Sequence, residues 1–270
     1  MEKVRITVVT VCYNASDVIE QTMRSVLDQT YSNIEYIVVD GASKDNTLDI
    51  VKKVGAAYPK ANIVIQSEPD RGIYDAMNKG IGLATGDWIN FMNAGDIFVS
   101  ADTLAKVFEN KTFDEKVAVV CGDFIMKYKW GRVYKKGLDH GVFRFCHQAE
   151  FVRTDCHKAH LFDLNHRIAA DRNVLTKICE EGYDKEYVAC PIAIYVADEG
   201  VSSENRLRLY KENFKAIGGH KNVSYISRCL YLWMCTKLYR ILPKHMLYWW
   251  WRRNARKRKE WMENQQEREK

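Results

Sequence analysis

The chain has 270 residues, enough for one large domain with an appendage and a sizeable core. Its net charge of +6 is concentrated in Arg252, Arg253, Arg256, Lys257, Arg258 and Lys259, just after Trp249-Trp250-Trp251. The remainder is therefore close to neutral, which argues against a nucleic-acid-binding face, and the negative mean hydropathy argues against a multi-span membrane protein.

The opening apolar run, residues 4–9, is too short and too β-branched for a secretory signal. The eight cysteines form no Cys-x-x-Cys pair, and several lie inside apolar runs, so reduced, buried thiols in a cytoplasmic protein are expected. A zinc site from Cys146, His147, Cys156, His157 and His160 would match no common ligand spacing.

The first hundred residues alternate β-branched runs with helical patterns. Residues 6–11 read as a buried strand, and Asn14-Ala15-Ser16 offers helix-start chemistry before apolar positions at helical spacing from Val18 to Leu27. A second strand spans residues 34–40, a second helix 47–54 and a third strand 63–67. A turn at Pro69-Asp70-Arg71-Gly72 leads into a helix through Ala76 and Ile81, and Gly86 precedes a fourth strand at residues 88–92. This rhythm predicts βαβ units with right-handed crossovers and a mostly parallel sheet. From Val117 the rhythm changes. Residues 117–124 and 145–152 read as strands without an intervening helix, so the sheet becomes mixed; a helix at 170–180 and a strand at 187–196 follow. Beyond Asn205 the chain is helical, aromatic and basic. The expected organisation is one domain over residues 1–205, changing character near residue 100, followed by a helical tail at 206–270.

Acids stand at matching places in the first half. Asp40 closes the second strand beside a tight turn, where it can accept a hydrogen bond from a base N–H or a ribose hydroxyl. Asn93-Ala94-Gly95-Asp96 ends the fourth strand, at the mouth of such a sheet. A carboxylate there suits a hard cation carrying a diphosphate, although the same tetrapeptide is a good turn. The dinucleotide signature Gly-x-Gly-x-x-Gly is absent after the first strand, where Thr10-Val11-Cys12-Tyr13-Asn14 stands, which argues against a dehydrogenase. Tyr13 either stacks on a base or packs in the core.

Residues 8–14, residues 37–47 (ending Asp40-Gly41-Ala42-Ser43-Lys44-Asp45-Asn46-Thr47), residues 72–81 and Asn93-Ala94-Gly95-Asp96 stand in an order that resembles family 2 glycosyltransferases. These are nucleotide-sugar-dependent inverting enzymes with the GT-A fold, and the closest resemblance is to the branch of colanic-acid-type bacterial polysaccharide transferases. It covers roughly residues 4–203 and implies a glycosyltransferase domain over residues 1–205, with a nucleotide-binding half at 1–100 and an acceptor half at 101–205. The resemblance implies an α/β, Rossmann-like GT-A fold in which Thr10, Tyr13 and Asn14 line the nucleotide pocket and Asp40 binds the base or ribose. Asp70 and Arg71 lie near the nucleotide or diphosphate, and Asn78 braces the donor site. Asp96 holds Mg²⁺ or Mn²⁺ with Asn93 close by. Asn93 and Gly95 occupy positions where acids often stand in the commoner Asp-x-Asp form, so Asp96 carries the metal site nearly alone.

An inverting transfer also needs a base for the acceptor hydroxyl. Asp171, opening the helix at 170–180, is a candidate, and equally a helix N-terminal residue favoured by the dipole. The resemblance to the family's Ala-Asp-aromatic motif assigns Asp171 the base role, with Arg172 replacing the aromatic. His147-Gln148 matches a pair that marks this branch; His147 contacts the donor diphosphate or the acceptor, or is a satisfied core residue. Ser202, in the family's closing Gly-Val-Ser segment, is expected in a loop over the donor.

In the tail, Arg228, Lys237, Arg240, Lys244, His245 and Pro243 interrupt the apolar run, so no transmembrane helix is expected. Ile226, Leu230, Trp233, Met234, Leu238 and Ile241 fall on one helical face beside basic residues, a pattern suited to an anionic membrane surface. The same face would also suit packing on the catalytic domain or on a second subunit in a homo-oligomer. The expected protein is thus a cytoplasmic enzyme, peripheral to the inner face of the cell membrane, moving a sugar from a nucleotide-sugar (a UDP-sugar) to a lipid-linked oligosaccharide or polysaccharide acceptor. The alternatives are a catalytically silent membrane-associated binding partner and a nucleotidyltransferase. The latter calls for a Gly-rich phosphate loop where Cys12-Tyr13-Asn14 stands.

Overall fold

The computed structural model describes residues 3–129, 131–139, 141–144, 146–166, 168–197, 206–216 and 223–241. Strands β1 (Ile6–Cys12), β2 (Ile34–Asp40), β3 (Asn62–Ser67) and β4 (Trp88–Phe91) alternate with helices α1 (Ile19–Leu27), α2 (Thr47–Ala56) and α3 (Ile73–Leu83). The four strands pair in parallel in the order β3-β2-β1-β4, as strands joined by helical crossovers must.

Strands β1, β2 and β4 are buried on both faces, whereas β3, at the sheet edge, is largely exposed. Along β1, Ile6 and Val8 belong to one core with Ile19, Met23 and Val26 of α1 and Val51 of α2. Val9 and Val11 belong to the other, with Met77 and Ile81 of α3. A doubly covered strand therefore reads as a continuous apolar run, which is how it appears in the sequence. Each fully buried Val or Ile contributes roughly 1.5–3 kcal/mol. The approach of α3 to β1 is close enough that a Cβ at Gly80 would come within 2.5 Å of Val9 Cγ1.

Beyond β4 the sheet becomes mixed, as the change of rhythm predicts. A short β5 (Ile97–Phe98) and helix α4 (Thr103–Phe108) lead to β6 (Val117–Tyr128), which pairs with the antiparallel β7 (Gly131–Lys135); β8 (Leu138–Asp139) and β9 (Val142–Phe143) form a separate ribbon. A 3₁₀ turn (His147–Ala149) precedes β10 (Glu150–Arg153), which runs antiparallel between β4 and β6. Helices α5 (Thr154–Ala159) and α6 (Ala170–Glu180) and strand β11 (Asp184–Val196) complete this part. β11 pairs in parallel with β6 and antiparallel with β5. Helices α7 (Arg206–Ala216) and α8 (Val223–Ile241) follow.

Two expectations change. The single strand foreseen over 145–152 becomes the 3₁₀ turn and then β10. Asn90 Nδ2, from inside β4, donates to the carbonyls of Gln148 (3.0 Å) and Glu150 (2.8 Å), and the Glu150 side chain accepts from the Cys146 N–H, so the segment bends over the sheet. Asn14 also does not start α1, which begins at Ile19. Its φ is +48°, its Oδ1 accepts from Lys44 N and its own N–H donates to Ser43 Oγ, so it ties the loop after β1 to the loop after β2. Helices α4 and α5 have six residues each, too short for a recognisable period. Ser202 and the basic block at 252–259 lie outside the described residues.

Candidate active site

In an open α/β sheet the ligand crevice opens at the carboxyl ends of strands where crossovers diverge to opposite sides. Here that point lies between β1 and β4, and the loops leaving them carry Tyr13, Asn14, Asn93 and Asp96. Register aligns Cys12 with Asp40 and Asp40 with Ser67, so the ends of β1, β2 and β3 form one rim.

On that rim Tyr13 is 56 % exposed, which places its ring at the surface and not in the core. It sits beside Gly41, and a Cβ at Gly41 would overlap the Asp70 carboxylate. Tyr13, Gly41 and Asp70 thus line one exposed recess. Asp70 Oδ1 also accepts from Gly72 N at 2.8 Å. Two predicted rim residues stand elsewhere. Thr10 is fully buried, with its hydroxyl 2.7 Å from the Met92 carbonyl and 2.9 Å from Tyr36 Oη, so it supports the end of β4 from below and does not line the recess. Asp40 is likewise fully buried, and its carboxylate accepts from Ser67 Oγ (2.6 Å), Ser43 N and Ser43 Oγ. A nucleotide reaches Asp40 only if one of these serines yields. Arg71 is exposed and pairs with Asp75 at 2.8 Å. Asn78 clamps the Phe162 backbone in both directions, donating to its carbonyl and accepting from its N–H, each at 2.9 Å.

The residues expected to act in chemistry do meet. The 3₁₀ turn brings His147 and Gln148 over the loop after β4. Asn93 Nδ2 lies 3.1 Å from His147 Nε2, and His147 Nδ1 lies 3.4 Å from Asp171 Oδ2. Gln148 Nε2 donates to Asp96 Oδ2 at 2.8 Å. With Asn93 donating to Nε2, the imidazole proton sits on Nδ1 and faces Asp171. Burial opposes charge on His147, yet the carboxylates of Asp171, Asp96 and Glu150 outweigh it and raise its pKa. Burial pushes Asp96 up to about 6, against the hydrogen bond from Gln148.

Asp96 and Asn93 are the residues whose oxygens could hold a cation. Asp96 is a nearly buried carboxylate held by a single side-chain donor, and Asn93 Oδ1 is buried without a hydrogen-bond partner. One carboxylate and one amide oxygen suit a hard cation that keeps waters and takes phosphate oxygens as its other ligands. Among the described residues no cluster of three or more His, Cys, Asp and Glu could hold a metal by itself.

Three further residues shape the site beyond those the sequence motifs single out. Asn90 is a polar residue inside an apolar strand, a visible sign that it needs buried partners. Glu150 is pushed by burial up to about 7 and lines a small cavity with His147, His157 and Asp171. Tyr74 Oη donates to the Ile168 carbonyl at 2.6 Å, just before α6. No local pattern announces the last two.

Comparison with known proteins agrees with this architecture. The family model for glycosyl transferase family 2 matches residues 7–169. A PGL/p-HBAD biosynthesis glycosyltransferase of Mycobacterium bovis is 37 % identical over 164 residues, 58 % of this chain and 63 % of the relative. Poly-beta-1,6-N-acetyl-D-glucosamine synthase of Staphylococcus aureus is 34 % identical over 121 residues, 44 % of this chain and 28 % of the relative. The chain thus spans less than two thirds of the length of these relatives. Among solved structures, the mannosyltransferase PcManGT from Pyrobaculum calidifontis, in complex with GDP-Man and Mn²⁺, superposes with a TM-score of 0.64 at 21 % identity, covering 86 % of this chain and 69 % of that one. S. aureus TarS 1-349 in complex with UDP-GlcNAc gives 0.62 at 18 % identity, covering 87 % and 72 %. These structures share the fold, a mixed α/β, Rossmann-like GT-A sheet. The chain belongs to glycosyl transferase family 2.

Proposed function

We propose that this protein is a metal-dependent inverting glycosyltransferase of the colanic-acid-type branch. In this reading it moves a sugar from a UDP-sugar to a lipid-linked oligosaccharide or growing polysaccharide in cell-surface glycan assembly. The observation that carries the reading is the convergence of Asn93, Asp96, His147, Gln148 and Asp171, from three separate stretches, into contacting pairs at the sheet's ligand crevice. The His147-Gln148 pair supports the branch, and the glycan-assembly names of the curated relatives support the acceptor class.

The acceptor hydroxyl gives its proton to the Asp171 carboxylate while its oxygen attacks the anomeric carbon from the face opposite the diphosphate. The bond from that carbon to the diphosphate oxygen breaks, the nucleoside diphosphate leaves with the electron pair, and the configuration inverts. His147, held by Asn93 through Nε2, orients Asp171 through Nδ1–H and stabilises its charge. Tyr13 and Asp70 hold the nucleotide in the exposed recess. Asp96, with Asn93 Oδ1 as a second oxygen, would hold Mg²⁺ or Mn²⁺. A divalent cation bound there supplies positive charge to the departing diphosphate.

The test is a donor panel. Purified protein with Mg²⁺ or Mn²⁺ is titrated with UDP-, GDP- and dTDP-sugars, and release of nucleoside diphosphate is followed. Saturable binding and slow hydrolysis of a UDP-sugar are expected; no binding to any donor ends the reading.

The tail, on the same proposal, holds the protein at the inner face of the cell membrane. Ile226, Leu230, Trp233 and Met234 of α8 are exposed, and the basic block follows in sequence. Among the described residues no helix is long and apolar enough to cross a membrane. Removing residues 224–270 is expected to abolish co-sedimentation with phosphatidylserine vesicles while leaving neutral vesicles unaffected. Undiminished sedimentation would overturn the proposal.

A further inference from the structure

Helix α6 begins without a capping side chain of its own. Its N-cap is Ala169, preceded by Ile168 and followed by Ala170, and none of the three can accept from the free N–H groups of the first turn. Two distant side chains make good the deficit. Tyr74 Oη, on α3, donates to the Ile168 carbonyl and lies 3.3 Å from Ala170 N, which donates to it. Glu212, on α7, accepts with one oxygen, Oε2, from both Ile168 N (2.9 Å) and Ala169 N (3.1 Å). Its other oxygen accepts from Arg208 Nε at 2.8 Å. α7 is in turn held against α8 by the rings of Tyr210, Phe214 and Tyr225.

We propose that Glu212 is a positioning residue for the base, so that α7 completes the active site and is not merely the start of a membrane appendage. The inference rests on the reading of Asp171 as the base. A carboxylate at a helix N-terminus forms charge-assisted hydrogen bonds and complements the helix dipole. Here it fixes the backbone two and three residues before Asp171. Asp171 meets His147 at a long 3.4 Å, a contact with little tolerance for drift. Tyr74 pins the same turn from the nucleotide-binding half. The base is thus held between α3 and α7.

The test compares Glu212→Leu with Glu212→Gln in the full chain. Gln retains a carbonyl oxygen for both backbone donors, and its amide group faces Arg208, which is half exposed and free to turn to water. Glu212→Leu is expected to lower kcat by about 10²-fold, the scale of an ångström-level misplacement, with KM for the donor nearly unchanged. Glu212→Gln is expected to restore most of that loss. In parallel, amide exchange at Ile168 and Ala169 should accelerate in the Leu variant and remain slow in the Gln variant, with the melting transition preserved in both. Near-wild-type kcat in the Leu variant, or equal loss in both variants, would overturn the proposal. If the wild-type protein transfers no sugar at all, the functional reading fails, and the exchange rates still decide whether Glu212 clamps the turn.

Discussion

Asp171→Asn is expected to lower sugar transfer by about 10²- to 10⁴-fold, the usual contribution of a general base, while nucleotide binding stays within about twofold of wild type. The substitution keeps size and shape and removes only the capacity to take a proton. Asp171 Oδ1 accepts from Arg172 N at 2.8 Å and Oδ2 faces His147, and an amide oxygen can retain one of these contacts, so α6 keeps its position. Nucleotide binding is expected to be spared because the proposed nucleotide site at Tyr13, Gly41 and Asp70 is built from the loops after β1, β2 and β3, whereas Asp171 lies on α6 in the second half of the chain. The measurement is product formation alongside calorimetric titration with UDP. A variant that transfers sugar at the wild-type rate would move the base elsewhere, with Glu150, in the same cavity, the first residue to test.

Asp96→Ala is expected to lower transfer by about 10²- to 10³-fold, the scale of losing one preorganised stabiliser of developing charge. It should differ from Asp171→Asn in its effect on the metal. UDP binding to wild type and to Asp171→Asn should tighten on adding Mg²⁺ or Mn²⁺, and UDP binding to Asp96→Ala should not respond. The reason is scarcity: no second carboxylate stands beside Asp96 in the loop, and Asn93 offers only a neutral oxygen. The fold should survive, because burial already disfavours the Asp96 charge. Circular dichroism before the assay checks this. Metal-responsive UDP binding in a folded Asp96→Ala would place the cation on other residues.

The two variants divide the site along the line that divides the fold. Asp96 belongs to the parallel, crossover-connected half and Asp171 to the mixed half. His147 and Gln148 sit between them on a turn pinned by Asn90, one contacting each acid. Asn90 therefore sets the turn that brings these two side chains to the two acids.

What the amino-acid order determined by itself is the parallel half and the placement of acids at the ends of its elements and of α6. β1, β2 and α3 are legible because strands buried on both faces must be continuous apolar runs and a helix covering them must repeat at helical spacing. The acids are legible because each follows or opens such an element, and because the motifs around them stand in family order. Tertiary structure decided the rest. Whether Asp40 and Thr10 face a ligand depended on Ser43, Ser67, Tyr36 and Met92, which neighbouring strands and loops deliver. Whether residues 147–149 extend or turn depended on Asn90, more than fifty residues away. The start of α6 has no signal at all in Ile168-Ala169-Ala170, because its caps come from Tyr74 and Glu212. Periodicity records which face of an element meets a core. It carries no record of a hydrogen bond between side chain and backbone across the fold, and bonds of that kind hold the turn that opens α6 here.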